Sequence, residues 1–321
     1  MSQRTPDAVL GARPGAGEQH PRSEVSVRCP LCDADHYRVR YDSTLTEAID
    51  PQRHYTSTSQ EFGRFGRIVE CRSCGIVYMN PRPHHLAVQD AYGDVEDLRY
   101  VEEEEGRVLT FSDSLAHVRS FAPTGRLLDV GCHIGTFIDL AEQSGFEVAG
   151  VEPSRWAAKR AEERVRGPVH VGVVEDAPLP EGSYDVVTMW DVIEHLPDPA
   201  STLRAVHSAL RPGGVFAVTT MDVDALFPRV AGRFWPWYMQ MHLVYFSRRT
   251  LGELLRRCGF EVVEVTRHRR VVRVSYAVSR LVTYSRTAER VARTLTRPFA
   301  DRTVGVDLGD IVTVVARKPA D

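Results

Sequence analysis

Asp129 ends an apolar run, Arg126-Leu127-Leu128-Asp129, and Val130-Gly131-Cys132-His133-Ile134-Gly135 leads straight on into a helical pattern. A buried strand that hands over to a helix N-terminus through glycines lets backbone come close to a nucleotide-like ligand. A second apolar run, Phe146 to Val151, ends in Glu152, at the spacing that brings a carboxylate to a ribose diol. Ribose hydroxyls donate, so an ionised carboxylate is the matched acceptor. A different chemistry is written in Cys29-Pro30-Leu31-Cys32 and Cys71-Arg72-Ser73-Cys74. Two such turns have the form of knuckles that together hold one zinc ion through four thiolates. Such a site has no open position, so its expected role is structural. The competing readings are disulfides or two redox pairs, which lack an oxidising setting and a strand-helix context. Cys132 and Cys258 sit in apolar surroundings and read as small core residues. Proton abstraction would fall to a histidine. His242 follows the fifth expected strand, on the ligand side of the sheet, and His195 follows the fourth, beside Glu194.

The elements that must position these groups alternate. Strands are expected near 126–130, 146–151, 168–172, 184–189 and 214–220, and helices near 135–144, 154–164, 199–210 and 248–258. That alternation predicts an α/β doubly wound parallel sheet covered on both faces. Leu210-Arg211-Pro212-Gly213-Gly214 reads as a helix stop before the fifth strand, and the β-branched runs 260–266 and 311–317 as an antiparallel pair closing the sheet. Ahead of it, Tyr37 to Val69 alternates apolar and polar residues and predicts short antiparallel strands, a ribbon with an enlarged loop. The chain therefore divides into a disordered tail (1–24), a zinc ribbon (25–83), a helical cap (84–122) and a ligand-binding domain (123–321). The acidic run Glu102 to Glu105 reads as a solvated helix face. Residues 267–302 hold ten arginines; an amphipathic basic helix there could meet a membrane surface or RNA, but a helix packed on the domain edge is favoured.

Composition supports a globular chain of 321 residues, 43% hydrophobic, with a formal net charge of −3, which offers no global positive field to recruit nucleic acid. Lys159 and Lys318 are its only lysines, so the abundance of arginine reads as compositional bias. No apolar run reaches eighteen residues and no charged-then-apolar leader is present, so neither a membrane span nor a secretory signal is expected, and the cytoplasm is the expected location.

On the Asp129-to-Phe137 turn, Glu152, and the stretch Gly172 to Pro199, the chain resembles class I S-adenosylmethionine (SAM) dependent methyltransferases, especially the branch with ubiquinone O-methyltransferases and natural-product enzymes. The resemblance covers 123–266 and implies a Rossmann-like fold with SAM as cofactor. The implied cofactor residues are Asp129, Gly131, His133, Gly135, Glu152, Pro153, Val174, Glu175 and Asp191. Two departures stand out: His133 replaces a glycine, and Val173 an acid that receives the adenine amino group. A histidine enters the left-handed region more readily than a β-branched residue, so the turn is expected to survive. The stretch Trp235 to Ser247 resembles a His-x-x-x-Phe-Ser segment in which the histidine, here His242, faces the acceptor; Met241 stands where some of those enzymes have Glu. His195 is the second candidate, in a Glu-His pair read as mainly structural, which with a further acid could hold a metal. Tyr92, Tyr100 and Arg107 are candidates to cap the cofactor, and Trp235, Trp237 and Tyr238 either form an aromatic lid or pack the domain edge. A zinc ribbon ahead of the domain resembles deoxysugar C-methyltransferases. The expected activity is methyl transfer to a small-molecule acceptor, at a hydroxyl oxygen, in a natural-product or cell-envelope pathway. An RNA methyltransferase gripping RNA through its ribbon, or a non-catalytic scaffold of the same fold, are the alternatives; oligomeric state is not legible.

Overall fold

The computed structural model describes residues 24–46, 50–59, 61–93, 95–279 and 285–320, so the tail expected over 1–24 lies, but for Glu24, outside the described residues. β1 (Glu24–Val25) pairs with β5 (Arg82–Pro83), and between them β2 (Tyr37–Tyr41), β3 (Ile68–Cys71) and β4 (Val77–Met79) form an antiparallel ribbon. Its long loop carries α1 (Pro51–His54). Gly75, at φ +75°, turns the chain between β3 and β4, where the Cys71 N–H donates to the Ile76 carbonyl (2.9 Å). That tight turn sets Cys71 and Cys74 facing the Cys29 turn.

The cap is helical, as expected: α2 (His85–Gly93), α3 (Leu98–Glu102) and α4 (Glu104–Phe121). Asp97 caps α3, accepting from the Tyr100 N–H (3.1 Å), and the same carboxylate accepts from the Thr58 N–H (2.9 Å), tying the cap to the ribbon loop. The acidic run is not wholly solvated: Glu104 is half-buried against Arg164 and accepts from Thr136 (3.3 Å).

There follow β6 (Gly125–Val130), α5 (Thr136–Gln143), β7 (Phe146–Glu152), α6 (Arg155–Glu162), β8 (Val169–Val171), β9 (Tyr184–Trp190), α7 (Pro199–Ala209) and β10 (Leu210–Met221). Then come α8 (Leu226–Ala231), β11 (Val244–Tyr245), α9 (Arg248–Arg257), β12 (Glu261–Arg267), β13 (Arg270–Arg273), α10 (Val274–Ser279), α11 (Arg286–Thr296), β14 (Thr303–Val306) and β15 (Ile311–Arg317). Seven strands form one sheet in the order β12-β15-β10-β9-β6-β7-β8, parallel from β8 to β10, with β15 antiparallel to both its neighbours. The central strands are mostly apolar because both faces are covered, and Leu127, Leu128, Val186, Val187, Phe216 and Val218 are buried. The fifth strand begins earlier than expected. Leu210 already pairs with Tyr184, and the Pro212-Gly213-Gly214 turn is absorbed as a register shift inside β10.

Two further arrangements differ from expectation. Residues 267–302 are not one helix: β13 and β14 pair as a hairpin enclosing α10 and α11, and the Val271 N–H donates to Thr110 on α4 (2.8 Å). The first part of the arm is packed on the domain, with β13 against α4 and Val278 of α10 buried, whereas α11 has no buried residue; Leu281 and Val282 lie outside the described residues. The ribbon, in turn, is stitched to the larger domain. β11 pairs with β4, with Val244 opposite Tyr78 and Tyr245 opposite Val77, and one hydrophobic cluster runs from Cys29 to Val218. Among the described residues no helix is long and apolar enough to cross a membrane.

Candidate active site

The loop after β6 is shaped by Gly131, at φ +78°, where a Cβ would come within 2.4 Å of Val192. His133 follows in the left-handed region (φ +48°), so the expected strained turn is realised with a histidine in it. Its N–H donates to Glu152 Oε2 (2.9 Å) while the Ser154 N–H donates to Oε1 (2.8 Å), so two backbone amides fix the carboxyl at the end of β7. Burial pushes Glu152 up to about 7 against the opposing pull of those amides. The His133 ring stacks on Tyr100 at 3.6 Å between centroids, and the Arg107 guanidinium lies 3.5 Å from the same centroid. Two groups so close to one ring must occupy its opposite faces. Burial holds His133 down at about 3, hence neutral. Its Nδ1, Arg107 Nε and Trp190 Nε1 are buried without a protein partner, as expected of atoms that face a polar ligand.

These groups line one end of a cavity of about 880 Å³, which Gly131, Pro153, Val174, Glu175 and Asp191 also line. Asp129 and Gly135 do not reach that wall. Asp129 is buried behind it, accepting from the Thr188 hydroxyl (2.6 Å), with burial raising its carboxyl to about 8. Gly135 starts α5 at φ +80°, where a Cβ would press on Ala161 at 2.9 Å; its part is helix packing. Glu175 accepts from the Thr202 hydroxyl.

The cavity is also lined by both histidines, with ring centroids 4.7 Å apart. His195 ends the turn Ile193–His195 after β9, and His242 lies between Met239 and β11. His242 Nδ1 is 2.7 Å from the Trp237 carbonyl, which only accepts, so Nδ1 carries the proton and Nε2 is the free base. His195 Nδ1 is 3.0 Å from the Met241 carbonyl and 2.8 Å from the Tyr92 hydroxyl, which fixes the same tautomer. Burial holds His195 down at about 4 and His242 well below its ordinary value. Glu194 is buried, accepts from Thr220 (2.8 Å) and is pushed up to about 8 by burial and the nearby Asp191. Ligand atoms of Glu194, His195 and His242 lie within 4.8 Å of one another, a spacing that one bound cation could bridge. The Leu243 N–H donates to the Glu194 carbonyl (2.8 Å), which joins the two histidine segments.

The aromatic cluster divides. Trp235 and Tyr238 are core residues, and only Trp237 reaches the cavity. Asp310 accepts from both indole N–H groups (2.8 and 3.1 Å), and Arg270 lies over Trp237 while pairing with Asp191 at 2.7 Å, an ion pair without hydrogen-bond geometry at that oxygen. Arg270, Asp310 and the ribbon-loop residues Tyr55 and Phe62 all line the cavity. Sequence reasoning missed them.

Away from the cavity the four thiols converge. Cys29 and Cys74 Sγ are 3.4 Å apart, Cys32 and Cys71 Sγ 3.6 Å, and all four lie within 4.8 Å of one another, without a disulfide. Corners of a tetrahedron around an ion with bonds of about 2.3 Å would be about 3.8 Å apart, so the set can hold one metal ion. Arg249 donates to the Cys74 carbonyl (2.7 Å) and Arg257 to that of Leu31 (2.8 Å), placing two positive charges of α9 beside the thiols.

Residues 102–265, half of the chain, match the profile of a family described as a methyltransferase domain. The chain is 36% identical over 139 residues to a Mycolicibacterium smegmatis protein named "Probable S-adenosylmethionine-dependent methyltransferase", covering 42% of this chain and 52% of that one. It is 34% identical over 119 residues to the ubiquinone biosynthesis O-methyltransferase of Ralstonia nicotianae, covering 34% and 49%. The chain thus spans about half the length of these curated relatives. Among solved structures, the phosphoethanolamine N-methyltransferase 2 of Haemonchus contortus superposes with a TM-score of 0.42 at 21% identity, over 65% of this chain and 52% of that one.

Proposed function

The chain belongs to the class I SAM-dependent methyltransferases, and on that footing we propose that it transfers the methyl group of SAM to a hydroxyl oxygen of a small molecule, a sugar or natural product. One observation carries the reading: a single cavity joins the fixed carboxyl of Glu152 to the free Nε2 of His242. When bound, SAM supplies a methyl group on a sulfonium whose sulfur leaves neutral. Glu152 would accept from the ribose diol, Val174 and Glu175 would border the adenine, and His133, Arg107 and Trp190 would offer their unpartnered nitrogens to the methionine end. The acceptor hydroxyl gives its proton to His242 Nε2, and the Trp237 carbonyl steadies the imidazolium that results through Nδ1–H. His195, turned by the Met241 carbonyl, borders the same space. Holding nucleophile and methyl in line supplies about 7–11 kcal/mol in favourable cases, and a positioned base about a hundred- to ten-thousand-fold. The test is calorimetric titration with S-adenosylhomocysteine (SAH), followed by label transfer from methyl-tritiated SAM to a panel of hydroxylated acceptors. Micromolar SAH binding and labelled ether product support the reading; a folded protein that binds no SAH overturns it.

The titration of Glu152 gives that binding a pH dependence. Its folded value of about 7 lies above the ordinary 4.5, so the folded protein keeps a proton that the unfolded chain gives up. Stability from this group is full below 4.5 and declines as pH rises towards 7. Ligand binding runs the other way, because a diol donating to Glu152 requires the anion. SAH affinity should fall about 30-fold between pH 8 and pH 5.5, with proton release on binding below pH 7. Calorimetry in buffers of different ionisation enthalpy reads both, and a flat profile would rule out this role.

We also assign the four thiols one structural zinc ion. Metal analysis should find one equivalent of zinc. Removing it with a chelator, or making Cys71→Ser, should lower the melting temperature by several degrees, since the ion joins the two ends of the ribbon's long loop. Metal-free protein that melts at the same temperature with or without chelator would count against the assignment.

A further inference from the structure

We propose that α11 and α8 rest on an anionic lipid surface, which places the mouth of the cavity at the bilayer. At helical spacing Arg286, Arg290, Arg293 and Arg297 fall on one face of α11, and Ala288, Val291 and Leu295 on the opposite one. In a helix attached to a domain the apolar face is normally buried, yet Val291 is 54% and Leu295 72% exposed. α8 repeats the feature: Leu226 (77% exposed) and Val230 (78%) stand one turn apart, and Phe234 continues the strip. Single exposed apolar residues are ordinary, but two strips of them are a surface that something covers.

Position and charge identify the cover. Phe227 of α8, Tyr276 of α10, against which α11 packs, and the exposed Leu308 all line the cavity, so both helices adjoin elements of its wall. Cationic groups accompany the apolar ones: Arg302 lies 5.1 Å from the Phe299 ring and Arg233 5.9 Å from that of Phe234. A chain with a net charge of −3 therefore carries a local positive excess where its apolar groups are exposed. A headgroup layer with anionic lipid satisfies both at once, taking aliphatic groups into the acyl boundary and arginines among the phosphates. Nucleic acid would leave the leucines and valines uncovered, and a second copy meeting the apolar strips would leave the arginines without an anionic partner. Docking here would bring the mouth to a membrane-borne acceptor. That consequence rests on the methyl-transfer reading; the docking itself does not.

The experiment is co-sedimentation of the full chain with vesicles of phosphatidylcholine, alone or mixed with phosphatidylglycerol, with SAH binding measured in parallel. Mixed vesicles should retain the protein, and either pure phosphatidylcholine or high salt should lower partitioning by about tenfold or more. Val291→Glu with Leu295→Glu, and separately Arg290→Glu with Arg293→Glu, should each lower it about tenfold with SAH affinity unchanged. The inference is overturned if mixed vesicles leave the wild type in solution, or if the α11 variants partition as the wild type does. It is also overturned if those variants instead abolish a dimer seen by light scattering, or if RNA is retained and vesicles are not. Absent SAH binding would remove the methyl-transfer reading and leave the docking result standing.

Discussion

Replacing Glu152 with alanine should weaken SAH binding by about a hundredfold or more. Hydrogen bonds to a charged acceptor contribute about 1.5–3 kcal/mol each, and a diol makes two. The loss does not stop there. Without the carboxyl the N–H groups of His133 and Ser154 lose their buried acceptor, and the loop that carries Gly131 and His133 keeps only its backbone bonds to the Val151 carbonyl of β7. Glu152→Gln separates the contributions, since it keeps the shape and one oxygen but removes the charge, and about a tenfold loss is expected. Calorimetry reads the affinity, and thermal unfolding without ligand shows whether the variant is folded. A folded alanine variant within threefold of wild type would sink the assignment.

His242→Ala should lower turnover by about a hundred- to ten-thousand-fold and leave SAH affinity alone, because the role proposed for the histidine is towards the acceptor and not the cofactor. His242→Phe preserves the volume and should be equally slow, which separates a lost base from a lost packing group. His195→Ala should be the milder change, since its ring is braced by Met241 and Tyr92 rather than set behind the nucleophile. The readout is label transfer to whichever acceptor the panel yields. Turnover within threefold of wild type in His242→Ala would remove His242 from the chemistry and turn attention to His195.

Much of the fold was legible because strand and helix are punctuated locally. Apolar runs ending in Asp129 and Glu152 need only spacing to be read, and the glycine-rich turn lies between them in sequence as in space. What remained hidden depends on contacts between distant segments. Trp235, Trp237 and Tyr238 look alike in the chain, yet two enter the core and one faces the cavity, a choice made by packing against Asp310 and Tyr245. Arg270 was masked by the abundance of arginine, and Tyr55 and Phe62 reach the cavity from a loop that precedes the family's region. The group that orients His242 is a backbone carbonyl, which no side-chain pattern reveals; Met241 in place of an acid pointed to a missing partner that the fold supplies by other means. For α11 the sequence revealed an apolar face without revealing whether it is covered.

The pairing of β11 with β4 bears on how such a protein can be taken apart. Val244 lies two residues beyond His242, the Met79 N–H donates to the Leu243 carbonyl (2.9 Å), and the Gln240 side chain accepts from the Gly66 N–H (3.0 Å). The ribbon is thus a jig for the His242 side of the cavity rather than a detachable cassette. A chimera that exchanges residues 25–83 between two such enzymes would carry acceptor preference with the graft, while one that exchanges only the matched region 102–265 would separate His242 from the strand that aligns it.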